Sequence, residues 1–518
     1  MYAKIFSGSL FGLEGEIIKV ETDIAPGMPV FNVVGLPDTA VKEARERIRA
    51  ALINSGCRFP MRRITVNLSP ADTRKEGTYF DLPIALGLLA AEGDLILAPS
   101  MMEGCAFIGE LSLEGDLVSV RGALPLAIAL REKGIRRLVL PKDNLEEVQI
   151  LEDMKFYPIS DLKEIVAVLE DRKSVIPWVT GAKNHIGRTC AVSVPELDFS
   201  QVRGQERAKR ALQISAAGGH SLLLIGPPGA GKTMLARRLP GILPPMNYEE
   251  ILEVTKIYSA AGELPGNRGV IAQRPFRAPH HTISAAALAG GGAKPKPGEI
   301  SLAHGGVLFL DEIPEFGRRS LEVLRQPLEE KQITISRTSG TAVFPSDFLL
   351  IAACNPCPCG FYGDGTERCQ CSAGQIHSYM AKLSGPLMDR IDMHIELSRI
   401  GWEELNPACE TEDMSLDSKT LREAVCAARE LQKRRYRDTG ISCNAQLQQN
   451  AVNRYCQITA EAGALMRNAF ARLPLSARSC KKILLLARTI ADLEGAEKIQ
   501  AEQIAEAIQY RNLDRIRF

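Results

Sequence analysis

Hydrophobic and polar positions change period along this chain, and the changes divide it. Near the start, Glu16–Thr22 alternates as a strand does, and Ile64–Leu68 is a second short strand. Met1–Val20, interrupted by Lys4, Gly8, Gly12 and Gly15, predicts a β-hairpin and not a signal peptide. Val41, Ala44, Ile48, Ala51 and Leu52 recur at helical spacing and predict a helix over Thr39–Ser55. Leu117–Val120 and Leu138–Leu140 read as strands on either side of a helix at Ala123–Glu132. Residues 171–195 show no period and are punctuated by Lys173, Pro177, Gly181, Lys183 and Gly187, which predicts a linker. Beyond it, Leu222–Ile225, Val307–Leu310 and Leu349–Ala353 are unbroken apolar runs, the pattern of parallel strands covered on both faces. The last part is helical: Ser418 is the predicted N-cap of a helix running to Arg434, and Leu475–Leu493 and Ala501–Tyr510 follow. The expected divisions are 1–170, a linker 171–195, 196–400 and 401–518.

Composition narrows this picture without redirecting it. Apolar content of 45% and charged content of 24% are those of an ordinary water-soluble chain. At roughly 100–200 residues per domain, 518 residues accommodate two to four domains with full cores. A net charge of +1 gives no general pull toward nucleic acid or membranes, so any nucleic-acid contact has to be local. No apolar run approaches the roughly 18 residues of a membrane helix. Leu82–Ala91 is too short and contains Pro83 and Gly87. The expected location is the cytoplasm, with no membrane partner.

The chemistry concentrates in the middle. Gly226-Pro-Pro-Gly229-Ala-Gly231-Lys232-Thr233 has the spacing of a phosphate-binding loop, between the strand Leu222–Ile225 and a helix predicted over Met234–Arg238. Glycines there let consecutive backbone N–H groups wrap a phosphate, and the helix N-terminus adds partial positive charge. Lys232 is placed to reach the β- and γ-phosphates of ATP, and Thr233 to hold Mg²⁺. The strand Val307–Leu310 delivers Asp311 to the same metal, with Glu312 beside it as the base that polarises water. About 80 residues separate Lys232 from Asp311, more than a crossover needs. An insertion containing Arg274–Thr282 and Gly290–Gly292 is therefore expected there. Asn355, ending the strand Leu349–Ala353, is a candidate for orienting the attacking water, or else a turn cap. Arg390 could serve a neighbouring subunit's ATP, and Arg478 could reach the γ-phosphate from the C-terminal helices; each alone could be a surface charge.

The order of phosphate loop, Asp311-Glu312, Asn355, Arg390 and Arg478 resembles AAA+ ATPases of the helix-2-insert clade. Arg274–Thr282, Asn355–Gly360, Ser384–Arg390 and Ala487–Glu494 look more specifically like the YifB/ComM family, over essentially the whole chain. That resemblance implies an α/β protein with three parts: an N-terminal Lon-protease-like α+β domain, a central AAA+ parallel-sheet domain with a helix-2 insert, and a C-terminal helical lid. It implies a homohexameric ring with ATP sites at subunit interfaces, and a DNA helicase that drives branch migration in natural transformation, acting on single-stranded or branched DNA. It also implies that the insert and a hairpin over Gln332–Arg337 and Thr341–Phe344, turning at Thr338–Gly340, face the ring's pore. Lys331 and Arg337 are then candidate phosphate contacts that do not read sequence, or a solvated hairpin tip. The rival functions are a magnesium-chelatase-like motor acting on a partner enzyme and a protein unfoldase. The Lon-like region argues against the first, since chelatase motors are expected to lack one.

Phe107–Gly122 and Gly134–Pro141 carry the Lon resemblance. Lon enzymes use a serine activated by a lysine. The resemblance puts the serine where this chain has Tyr79, after Lys75-Glu-Gly77, and the lysine where it has Pro125. Thr78 is a spare hydroxyl without a lysine to activate it, so no peptidase activity is expected. Of thirteen cysteines, nine are scattered and read as small buried hydrophobes. Cys357, Cys359, Cys369 and Cys371 form two close pairs, a pattern that predicts structural zinc, with free or redox-active thiols as the alternative.

Overall fold

The computed structural model describes residues 2–511 apart from 72–74, 76, 98–101, 171, 173–176, 180–196, 266–268, 293, 338–339, 366, 400–416 and 474. The first strands, β1 (Tyr2–Phe11) and β2 (Glu14–Ala25), make the predicted hairpin, in register from Tyr2↔Asp23 to Phe11↔Glu14. With β3 (Val30–Val34) and β4 (Arg63–Ser69) they form a sheet of order β1-β2-β4-β3. Between β3 and β4, α1 (Thr39–Asn54) buries the predicted stripe, and the Asp38 carboxylate caps it by accepting from Val41 N. α2 (Asp81–Glu92) contains the apolar run that is too short for a membrane. It is buried almost all round and packs on β1 and β2, as a helix without a polar face must.

A second sheet follows. β5 (Cys105–Phe107) is succeeded by the short ladder β6 (Glu110–Leu111) and β7 (Leu117–Val118), then α3 (Ala123–Glu132), β8 (Arg137–Pro141), β9 (Lys155–Ile159), α4 (Leu162–Leu169) and β10 (Trp178–Val179). The order is β10-β9-β8-β5. β10 corrects the expected linker: Trp178 and Val179 pair antiparallel with Phe156 and Lys155, so part of that stretch belongs to a sheet. Residues 180–195 of the expected linker lie outside the described residues.

The central part contains α5 (Glu206–Gly218), β11 (Leu222–Ile225), α6 (Lys232–Arg238), α7 (Tyr248–Ala261), β12 (Phe276–Arg277), α8 (Ala285–Ala289) and a small hairpin, β13 (Gly290–Gly291) with β14 (Lys296–Pro297). Then come β15 (Val307–Leu310), the hairpin β16 (Gln332–Arg337) and β17 (Gly340–Pro345), β18 (Leu349–Cys354), α9 (Ala373–Met380) and β19 (Met393–Glu396). The sheet is wholly parallel, of order β12-β15-β18-β11-β19. The expected insertion is thus smaller than the sequence suggests. Phe276 and Arg277 are an edge strand of the main sheet, and only the chain after them leaves it.

Alternate residues of this sheet enter different cores, as the period of two requires. Leu223, Ile225, Leu308, Leu310 and Leu350 share a core with α3 and α7. Leu222, Leu224, Val307, Phe309 and Ile351 share the other with the C-terminal helices. Those include α10 (Ser418–Arg435), α11 (Ala460–Arg472), α12 (Ala477–Leu493) and α13 (Ala501–Gln509), with the short helix Gln449–Tyr455 contributing Val452. Asp417, not Ser418, caps α10 by accepting from Thr420 N. The Ser418 hydroxyl instead accepts from Phe199 N at 2.9 Å, which ties α10 to the start of the central part.

A buried charge cluster joins sheet and helices. Lys482 Nζ of α12 lies 3.0 Å from Asp392 Oδ1, with His220 Nδ1 3.7 Å from the other carboxylate oxygen. Burial pushes the Asp392 carboxyl up, but Lys482 and His220 outweigh it and hold it well below the usual carboxylate range.

Candidate nucleotide site

Three parallel strands deliver their C-terminal ends to one place. Ile225 pairs with Cys354 across β11 and β18, so the phosphate loop and Asn355 emerge side by side. Leu310 pairs with Ala352 across β15 and β18, which brings Asp311 level with them. Gly229 and Gly231 hold φ of 81° and 85°, a left-handed backbone that side chains resist. Helix α6 starts at Lys232, two residues before the predicted start, directly after that turn.

The polar groups of the pocket close on one another. Lys232 is only 9% exposed. Its ammonium donates to Gly226 O at 2.6 Å, Pro227 O at 3.1 Å and Asn355 Oδ1 at 3.0 Å. Burial lowers its pKa, opposed by Asp311, Cys354 and Glu312. Thr233 Oγ1 donates to Asp311 Oδ2 at 2.7 Å. A hydroxyl and a carboxylate in contact at the mouth of a phosphate loop are the oxygen donors a Mg²⁺ ion takes. Glu312 turns at φ 51° and lies toward His281, whose Nδ1 is 3.5 Å from Glu312 Oε2. His281 was missed as a site residue, because nothing local distinguishes it within Arg274–Thr282.

The two candidate arginines do not join this group. Arg390 donates to Pro386 O at 2.7 Å and to Glu329 Oε1 at 2.5 Å. Arg478, 69% exposed in the first turn of α12, pairs at 3.7 Å with Asp389, the neighbour of Arg390. Arg478 is thus a surface charge, whereas the Arg390 side chain is only 18% exposed. In Arg274–Thr282, Arg274 bonds Pro244 O, Gly305 O and Glu250, and Arg277 pairs with Glu299 and Glu263. They anchor chain and are not free for a ligand. Lys331 sits at the base of the β16–β17 hairpin, not on its tip, and pairs with Asp347 at 3.0 Å. Arg337 ends β16 and is exposed; the turn residues Thr338 and Ser339 lie outside the described residues.

Next to Asn355, the thiols of Cys357, Cys359, Cys369 and Cys371 lie within 4.8 Å of one another. Cys357 Sγ is 3.3 Å from Cys359 Sγ and 3.8 Å from Cys369 Sγ, and the latter two are 3.7 Å apart. Zinc–sulfur bonds of about 2.3 Å in a tetrahedron put sulfurs about 3.8 Å apart, so the donor set fits zinc. The Phe361 N–H draws the Cys359 thiol down to about 6, while the Cys357 and Cys359 sulfurs push Cys369 up to about 12 and Cys371 up, so the case for zinc rests on the geometry of the four sulfurs. The knuckle also touches the nucleotide loop: a Cβ on Gly360 would fall 2.7 Å from Pro228 Cδ.

In the N-terminal part, Tyr79 is buried and its hydroxyl donates to Arg121 O at 2.7 Å. The stretches around Lys75 and Gly122 thus meet, with a phenol between them.

Comparison with known proteins agrees with this layout. Residues 198–405 match the family described as magnesium chelatase, subunit ChlI; residues 20–144 match subunit ChlI of Mg-chelatase; residues 415–511 match the ChlI C-terminal family. The competence protein ComM of Haemophilus influenzae is 42% identical over 520 residues, covering 99% of this chain and 98% of that protein. The uncharacterized protein YifB of Escherichia coli K12 is 41% identical, covering 99% and 97%. The chain belongs to the YifB/ComM family. Its fold is accordingly of the AAA+ type in the centre, and the Lon resemblance at the front is also found. A Lon protease of Leptospira interrogans is 29% identical over 122 residues, 23% of this chain and 14% of that one. The family match over 20–144 also carries a chelatase description. No helix among the described residues is long and apolar enough to cross a membrane.

Proposed function

We propose that the protein is an ATP-driven DNA translocase that works as a homohexameric ring and promotes branch migration in recombination or transformation. One observation carries this: end-to-end similarity to a competence protein, in a chain whose phosphate loop, Asp311, Thr233 and Asn355 assemble into a single pocket. Lys232 contacts the β- and γ-phosphates, and Asn355 orients the attacking water. Glu312 takes the water's proton. Thr233 and Asp311 would hold Mg²⁺, which when bound would supply positive charge to the phosphate oxygens. Arg390 bonds Glu329 and Pro386 and none of the pocket residues of its own chain, so a role at the neighbouring subunit's ATP requires it to leave Glu329. Arg337 is the remaining candidate for a DNA phosphate, because Lys331 is already paired. The cysteine knuckle holds structural zinc and braces Asn355 and the phosphate loop. The Lon-like part, 1–170, is a scaffold without peptidase activity, supported by the buried, bonded Tyr79.

The test is the Glu312→Gln protein, assayed for ring formation and for single-stranded or branched DNA retained with ATP. It should form hexamers that hold DNA. ATPase stimulation by unfolded protein but not by DNA would replace this reading with a protein-remodelling motor, which the chelatase descriptions of the family matches favour as the second reading.

A further inference from the structure

The C-terminal helices carry a cleft of about 390 Å³ that the nucleotide site does not use. The turn after α10 contributes Thr439 and Ile441 to its lining. The short helix Gln449–Tyr455, with the residue before it, contributes Gln448, Asn450, Arg454 and Tyr455. None of the described lining residues is acidic. The Tyr455 ring is held in place: the Tyr436 ring meets it edge-on, centroids 5.1 Å apart, and Tyr436 is buried with its hydroxyl donating to Asn444 Oδ1 at 2.5 Å. Over Tyr455 stands the Arg454 guanidinium, 5.1 Å from the ring centroid, a cation–π contact. Arg454 is exposed and makes no ion pair among the described residues.

More positive charge lies beside the cleft. Lys433 and Arg434 are exposed in the last turn of α10, where they answer the negative end of the helix. Arg437 lies beyond that helix, is exposed, and makes no ion pair among the described residues. Thr439 Oγ1 donates to Tyr436 O at 2.7 Å, which folds the turn bearing Arg437 back on α10. Asp438 is the acid of this turn and does not line the cleft. Gln446, also in the lining, ties the cleft to the central part. Its Nε2 donates to Asp347 Oδ2 at 3.0 Å, and Asp347 Oδ1 pairs with Lys331 at 3.0 Å at the base of the β16–β17 hairpin. The Asp347 charge is thereby met, and the cleft stays positive. One hydrogen bond and one ion pair join it to the root of the hairpin that carries Arg337.

We propose that this cleft binds single-stranded nucleic acid, with Arg454 and Arg437 on phosphates and a base stacked on the Arg454–Tyr455 pair. This rests on the reading of the protein as a DNA translocase and gives it a second contact, on the C-terminal helices, besides Arg337. An arginine braced on an aromatic ring offers a cation and a stacking surface at one point, which suits a nucleotide of any base. An acidic peptide would use the charge and leave the stacking surface idle.

The test measures binding of a fluorescent oligothymidine to full-length protein carrying Glu312→Gln, with Mg²⁺ and ATP, over a range of salt. Arg454→Gln should weaken binding about tenfold, the low end for a stacked base. It should also lower the salt slope by about 0.7, the value for one phosphate contact on a single strand. Arg454→Lys, which keeps the charge, should restore the slope and only part of the affinity. Asn450→Asp, a near-isosteric change on an exposed residue, should weaken binding to a similar extent without disturbing the fold. An affinity unmoved in either Arg454→Gln or Asn450→Asp overturns the cleft. Displacement of the oligonucleotide by inorganic phosphate at equal phosphate concentration marks a small-anion site and overturns it too. Equal displacement by polyglutamate marks a site for acidic protein and does the same. Absence of oligonucleotide binding in Glu312→Gln sinks the translocase reading and this site with it, whereas binding that ignores Arg454→Gln sinks only the cleft.

Discussion

Three lysines among the described residues are almost wholly buried: Lys209 of α5, which pairs with Glu206, and two others that invite comparison, Lys232 in the centre and Lys75 in the Lon-like part. Both follow glycine-bearing or loop segments that a related fold uses for chemistry, and their surroundings differ. Around Lys232 the polar groups converge from three strands and satisfy one another in a form that phosphate and metal oxygens can take over. In the Lon-like part Tyr79 lies between Gly77 and Gly122, and its hydroxyl is bound to the Arg121 carbonyl. One pocket presents several donors to a common point, and the other has traded that point for packing. A fold can outlive its chemistry when a side chain fills the reaction space and satisfies its own polar atom.

The comparison can be broken most severely at Glu312. Glu312→Gln should lower steady-state ATP turnover by about 10²–10⁴-fold, the range for a general base, while ATP still binds. Tyr79→Ser, its counterpart in the other pocket, should gain no casein cleavage, because Pro125 leaves no lysine to activate the serine; cleavage would show that the pocket is dormant and not closed.

The joint beneath the nucleotide pocket comes next. Lys482→Met should cost about 3 kcal/mol in denaturant unfolding, the low end for a buried pair. Both partners keep some exposure, 15% for Lys482 and 18% for Asp392. Since Asp392 is depressed in the folded state, its contribution is complete above the ordinary carboxylate pKa of about 3.9 and is lost as pH falls below it. Wild type and variant should therefore converge in acid.

Metal analysis should find about one zinc per chain, lost in Cys357→Ser. Because Gly360 touches Pro228, loss of zinc should also raise the KM for ATP. Zinc absent from protein purified without chelators would remove this link. Smallest is Tyr79→Phe, which should cost about 1 kcal/mol for one hydrogen bond and leave ATP turnover unchanged.

Much of the nucleotide site was legible because its information is local. A phosphate loop is a run of consecutive residues, and Asp311-Glu312 follows an apolar strand directly. Asn355 was legible for the same reason, as the polar end of a buried run. His281 was not, since its meaning comes from the register of β12 against β15, and two residues of strand leave no periodic trace. Lys331 and Arg337 looked alike as charges near one hairpin; only the fold placed one at the base, paired with Asp347, and left the other exposed. The β16–β17 hairpin is expected from the sequence, but not that Phe11 of the first sheet packs against its Gly340, nor that Lys294, beside β14, pairs at 2.8 Å with Asp38, the cap of α1.

By itself, then, the sequence determined three of the five strands of the central sheet, the phosphate loop and the acidic pair after β15, and the thiol spacing. These depend on neighbours within a few positions, where backbone geometry ties spacing to direction. Tertiary structure alone decided that Leu82–Ala91 is an enclosed helix, that Trp178 and Val179 extend a sheet, and that Glu312 turns toward His281 while Asp311 turns toward Thr233. Each depends on what lies across a sheet or core from a residue, and period along the chain carries no record of that.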